Sequence, residues 1–122
     1  MTMIQKIIIT SLATGLLLSS CTKGLYKKGV KNFDNHVYQK SIDNFEKYLS
    51  KKDGPNDAKI KLANAYRLTA DIPNAEKWFS KIVELPESEA INMFYYAKLL
   101  MSQEKYKEAQ VWFIKYLEKV PD

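Results

Sequence analysis

Apolar residues along most of this chain recur at helical spacing. Ala58, Leu62, Ala65 and Tyr66 fall at i, i+4, i+7 and i+8, and Ala75, Phe79, Ile82 and Val83 repeat that spacing. Each segment therefore presents one apolar face and reads as an amphipathic helix. Between them, Ala70-Asp71-Ile72-Pro73 supplies a capping aspartate and a proline suited to the first turn of a new helix, and Gly54-Pro55 breaks the chain upstream. The pattern predicts helices near residues 23–34, 38–51, 57–69, 73–84, 88–101 and 105–119. No alternation of period two competes, so the expected fold class is all-α.

Sliding the chain against itself by 34 residues aligns three copies without a gap. Tyr38, Ile72 and Tyr106 coincide, as do Ser41, Ala75 and Ala109, then Phe45, Phe79 and Phe113, then Tyr48, Ile82 and Tyr116, and upstream Gly29, Ala63 and Ala97. A small, an aromatic and a bulky position thus recur in register. One helix pair cannot bury its apolar face alone, and three stacked pairs are about the minimum for a continuous core. The predicted repeats cover about 22–55, 56–89 and 90–122.

This set of positions resembles the tetratricopeptide repeat, in which small residues on two antiparallel helices allow close approach and large residues fill the gaps. The second copy matches best, with Leu62, Ala63, Tyr66, Ala75 and Phe79 in signature positions and Pro86 one place before the usual proline. The third keeps Ala97, Ala109, Phe113 and Pro121. The first keeps Gly29 and Phe45 but carries Asn32, Ser41 and Asp53 where an aromatic, an alanine and a proline are usual. The resemblance implies a short right-handed solenoid of three antiparallel helix pairs whose first helices line a concave, protein-binding surface.

The first residues have a different texture. Lys6 ends a short positive start, Ile7 to Leu18 form an apolar run of signal-peptide length, and the run closes on Leu18-Ser19-Ser20-Cys21. Spanning a bilayer needs about 20 apolar residues, and this run is shorter and broken by Thr10, Ser11, Thr14 and Gly15. Cys21 is the only cysteine, so no internal disulfide forms. The segment 1–21 resembles the signal peptide and lipobox of bacterial lipoproteins. That resemblance implies that Cys21 becomes the acylated N-terminus of a mature protein held on a membrane without crossing it. Each buried methylene contributes about 0.8 kcal/mol, and two or three acyl chains make such anchoring durable.

Composition changes this picture in one respect. The net charge of +5 is local, because residues 22–55 hold eight lysines against four acidic residues while the remainder is nearly balanced. A basic segment beside a lipid anchor suits attraction to anionic head groups. Nucleic acid is not an expected partner, since the lysines are spread around the first helix pair and the recurring aromatics occupy core positions. No His/Cys/Asp/Glu group has metal spacing and no glycine-rich loop suits a phosphate. The only histidine, His36, falls in a predicted turn. No cofactor is expected, and the chain does not read as an enzyme.

By analogy with the repeat family, the concave positions here are Tyr26, Val30 and Phe33, then Ile60, Asn64 and Arg67, then Ile91, Phe94, Lys98 and Met101. Tetratricopeptide domains that clamp the C-terminal carboxylate of cytosolic chaperones use lysine, asparagine and arginine where this chain has Tyr26, Val30, Lys61, Ile91 and Tyr95. Only Lys61 matches, which excludes that clamp. On the outer side of the second helices, Asp43 and Glu46 in copy one and Lys77 and Ser80 in copy two give way to Val111 and Ile114 in copy three. A terminal repeat normally carries a polar outer face, so a further domain or subunit is expected on Val111 and Ile114. The lipobox, the repeats and the lysine-, asparagine- and tyrosine-rich text are similar to the start of OmpA-family lipoproteins of Bacteroidota, some associated with type IX secretion. That likeness implies an envelope protein as partner and a position on the outer membrane, facing the periplasm.

Overall fold

The structure is a computed structural model that describes residues 21–121, so all of the predicted signal segment 1–21 except Cys21 lies outside the described part. Within it the chain forms helices and turns, with no strand. Helix α1 occupies residues 21–34 of the described chain. It is followed by α2 (Tyr38–Lys51), α3 (Asn56–Leu68), α4 (Ile72–Ile82), α5 (Ala90–Ser102) and α6 (Tyr106–Lys119).

The 34-residue period is written into the backbone as well as into the side chains. His36, Ala70 and Glu104, spaced one repeat apart, are the non-glycine residues with positive φ, at 61°, 59° and 61°. At each, the next residue's N–H reaches back five positions: Val37 to the Asn32 carbonyl at 2.8 Å, Asp71 to Tyr66 at 3.0 Å, and Lys105 to Leu100 at 3.0 Å. These are Schellman closures, which satisfy helix-terminal carbonyls through one left-handed residue. After the second closure, the Asp71 carboxylate accepts the Asn74 backbone N–H at 3.3 Å, with Pro73 in the first turn of α4. The cap and proline expected from the sequence therefore act together.

Close approach depends on the small positions. Gly29 on α1 lies under the Phe45 ring of α2, where a Cβ would come within 2.7 Å of the ring edge. Ser41, fully buried, donates its hydroxyl to the Gly29 carbonyl at 2.9 Å. Contacts between these two helices fall as Tyr26 with Tyr48, Gly29 with Phe45, and Phe33 with Tyr38. Helices α3 and α4 pack together, as do α5 and α6, while α2 meets α3 and α4 meets α5.

Side chains also connect alternate helices. Tyr26 of α1 donates to Asp57 of α3 at 3.0 Å, and Asn64 of α3 donates to Asn92 of α5 at 3.2 Å. On the other side, Trp78 Nε1 of α4 donates to Glu46 of α2 at 3.3 Å, and Lys115 of α6 pairs with Glu84 just past α4 at 3.1 Å. Odd helices thus form one layer and even helices another.

The core runs between those layers through Ile42, Phe45, Leu62, Tyr66, Phe79, Ile82, Met93 and Leu100. Burial of each such large side chain contributes about 1.5–3 kcal/mol. It thins towards the last helix: α4 buries Ala75, Trp78, Phe79 and Ile82, whereas α6 buries only Ala109. Phe113, equivalent by repeat to the fully buried Phe45 and Phe79, is half-buried because no following helix covers it among the described residues.

The junction between the second and third repeats is two residues wider on each side than predicted. Helix α4 stops at Ile82 and α5 starts at Ala90, because residues 83–88 form a turn in which Leu85 N–H bonds to Ile82 and Ser88 N–H to Leu85. Pro86 cannot continue a helix and disfavours helical backbone at the residue before it.

Candidate partner-binding surface

The odd-helix layer brings together polar, basic and aromatic side chains from three consecutive repeats. Its centre is an open groove of about 420 Å³ lined by Phe33 of α1, Ile60, Lys61 and Asn64 of α3, and Asn92 of α5. Asp57, Glu87 and Glu89 lie along the same groove. Asn92 is 4% exposed and accepts from Asn64 while donating to the Ser88 hydroxyl at 3.1 Å. Asn64 in turn accepts from Arg67 Nε and from an Arg67 terminal nitrogen, both at 3.3 Å.

Arg67 is held from a second direction. Its guanidinium carbon lies 3.8 Å from the centre of the Tyr95 ring, a stacking distance that suits a planar cation on an aromatic face. The Asn64 and Tyr95 contacts leave the fork preorganised on a half-buried surface. A guanidinium fixed in this way loses little freedom on meeting a carboxylate or a backbone carbonyl. Lys61 is similarly anchored by Asp57 at 2.7 Å and lies 5.8 Å from the Phe33 ring centre.

The expected groove residues fall into two groups. Phe33, Asn64, Arg67 and Ile91 are half-buried in the odd layer and Lys98 is exposed on it. Tyr26 and Phe94 instead spend their rings on packing between helices. Tyr26 lies against Phe45 and Tyr48, at 6.3 and 5.5 Å between ring centres, and burial together with the Asp57 hydrogen bond raises its phenol pKa. Phe94 meets Phe113 and Tyr116 of α6 at 5.6 and 5.4 Å, with Lys98 Nζ 5.7 Å from its ring centre. Aromatic pairs at these separations stabilise the helix contact beyond their area.

Asn92 lines the groove and Tyr95 holds Arg67, two roles that sequence reasoning did not assign. Asn92 had a readable signal, since it is a lone amide inside the otherwise apolar run Ala90-Ile91-Asn92-Met93-Phe94. A buried amide in such a run demands partners. Tyr95 had no such signal, because its role comes from Arg67 one repeat away.

On the even layer, Glu46 receives the Tyr66 hydroxyl at 2.8 Å and the Trp78 indole N–H at 3.3 Å, tying α2 to α3 and α4. Burial and this carboxylate push the Tyr66 phenol well above its ordinary value. The predicted docking pair Val111 and Ile114 is 51% and 48% exposed. Ile114 lines a shallow apolar groove with Phe113 and Leu117, whereas Val111 is not part of its lining. Cys21 is exposed at the first described position. No described helix is long and apolar enough to cross a membrane, and no described group of His, Cys, Asp and Glu is arranged to hold a metal ion. No family model matches this sequence and no curated protein is significantly similar to it.

Proposed function

We propose that this chain is a membrane-anchored tetratricopeptide-type scaffold that holds a protein of the bacterial envelope on its odd-helix surface. The observation that carries the reading is Arg67, which Tyr95 and Asn64 preorganise beside the groove that Asn64 lines together with Phe33 and Lys61. Fixed polar groups set in apolar surface are what a protein ligand needs for affinity and register. The order of contacts between α1 and α2, with Tyr26 on Tyr48 and Phe33 on Tyr38, supports antiparallel helix pairs. The right-handed stacking, the lipid anchor at Cys21, the outer-membrane position facing the periplasm and a link to type IX secretion rest on the resemblances described above.

Capture from native membranes tests this directly. Arg67→Ala combined with Lys98→Glu should abolish recovery of the partner, while Lys77→Glu on the even layer retains it. Equal recovery from the unaltered chain and both variants overturns the groove reading. Cys21→Ser should leave the helices folded but release the protein into the soluble fraction; its persistence in membranes after a high-salt wash would contradict lipid anchoring.

A second reading is favoured by α1. Lys23, Lys27, Lys28 and Lys31 are exposed there, and none has an acidic side chain in ion-pairing range among the described residues. Such a cluster attracts anionic lipid with a contribution of about 1 kcal/mol per lysine near the surface. Under this reading the first repeat lies on the membrane, and binding of the unacylated chain to anionic vesicles is lost at high salt.

A further inference from the structure

The outer side of α6 carries a stripe that the rest of the molecule shows how to interpret. Tyr106, Phe113, Ile114 and Leu117 share one face at helical spacing, extended by Met101 from α5, and together they line the shallow apolar groove. Leu117 is 68% exposed and Tyr106 62%. One repeat earlier the equivalents of Phe113 and Leu117 are Phe79 and Val83, which are 0% and 1% exposed beneath the packed α5. At Phe113 and Leu117 the stripe on α6 therefore occupies helix-covered positions without their cover, and Ile114 adds an aliphatic side chain where the earlier repeat has the exposed Ser80.

Two charges identify the cover. Lys107 and Glu118 are exposed, and neither has an ion-pair partner among the described residues. They lie eleven residues apart, close to three full turns, so both flank the stripe on the same side at opposite ends of α6. A two-fold axis perpendicular to α6 sets two copies antiparallel, stripe on stripe. It places Lys107 of each beside Glu118 of the other. A parallel pair would instead set the equivalent charges on opposite flanks of the contact, with Lys107 and Glu118 at different heights and unpaired. Head-to-tail stacking would bring the lysine-rich α1 onto the apolar stripe and leave those charges unpaired and desolvated.

We infer that α6 is an isologous dimer interface whose occupant is the antiparallel α6 of a second copy of this chain, centred on Phe113, Ile114 and Leu117 and registered by reciprocal Lys107–Glu118 pairs. The stripe shares no residue with the groove lined by Phe33, Ile60, Lys61, Asn64 and Asn92, so both of those grooves remain open in the pair. A single 14-residue helix offers less than the roughly 800 Å² per partner of a standard interface. The pair is accordingly weak, with a dissociation constant on the order of tens of micromolar.

Sedimentation equilibrium on the chain from Thr22 onward tests this, since all of the hydrophobic core lies beyond that residue. The dimer should form in that concentration range, and Leu117→Glu should make it monomeric without lowering the melting temperature. Lys107→Glu or Glu118→Lys alone should each raise the dissociation constant on the order of tenfold. The two together should restore it to near the starting value. A monomer throughout, a dimer unaffected by Leu117→Glu, or a double reversal no better than the singles overturns the inference. The first of those results would leave the stripe to a different protein.

Discussion

Replacing Gly29 by alanine sets two physical effects against each other. Gly29 sits inside helix α1, where alanine is favoured over glycine by about 1 kcal/mol, and the aligned repeats carry alanine at this position, Ala63 and Ala97. Helix propensity and repeat consensus both forecast stabilisation. The packing forecasts the opposite. A Cβ at Gly29 would lie 2.7 and 2.8 Å from two carbons of the Phe45 ring and 3.0 Å from a third, and that ring is wholly buried. To relieve the contact, α1 must move outward or the ring must tilt into a filled core, and overpacking of this kind costs about 1–3 kcal/mol. Outward movement also stretches the buried bond from the Ser41 hydroxyl to the Gly29 carbonyl, now 2.9 Å. Packing should win by about 1 kcal/mol, lowering the melting temperature by about 4–8 °C for a domain of this size. Thermal unfolding followed by circular dichroism reads this. A Phe45→Leu background isolates the cause: there Gly29→Ala should be neutral or stabilising. A higher melting temperature for Gly29→Ala alone, or an equal cost in both backgrounds, would refute the reasoning.

Three other outcomes follow from the same geometry. Ala70→Gly should stabilise the fold by about 0.5–1 kcal/mol, because residue 70 holds φ at 59° and glycine adopts that region without strain; denaturant titration checks it. Glu46→Leu leaves the Tyr66 hydroxyl and Trp78 indole without their acceptor and should cost about 1–3 kcal/mol, with Tyr66 titrating closer to an ordinary phenol by ultraviolet absorbance. Lys105 hydrogen-bonds Glu76 and is the main cause of that carboxyl's lowered pKa, burial opposing it and the Gln103 bond assisting. A carboxyl lowered in the folded state stabilises above its unfolded value, near 4.5, and loses that contribution as pH falls through the folded value. The deficit of Lys105→Met should therefore be present at neutral pH and close under more acidic conditions, as followed by thermal melting across pH.

The helices and their register were legible because they depend on periodic apolar positions, and small residues such as Ser41, Ala75 and Ala109 mark where helices must approach. All three are buried in the structure. What escaped depends on side chains that meet without periodicity. Glu46 reads as an outer-face charge, yet it receives donors from two other helices. Arg67 reads as a free groove cation, yet Tyr95 and Asn64 hold it. The left-handed turn residues left no signal either, since His36, Ala70 and Glu104 stand where glycine would be expected. Phe113 matches Phe45 and Phe79 in the text, but no helix among the described residues follows α6 to cover it, which no alignment of repeats encodes.

The proposed role is tested most directly by photo-crosslinking in cells, with a photoreactive amino acid placed at Phe33 or Lys98 on the odd-helix layer and at Lys77 or Ser80 on the even one. One and the same envelope protein should be captured from both odd-layer positions, and not from Lys77 or Ser80. Adducts confined to the even layer, or lipid adducts in place of protein at both odd-layer positions, would contradict a scaffold that grips its partner on the odd-helix surface around Arg67.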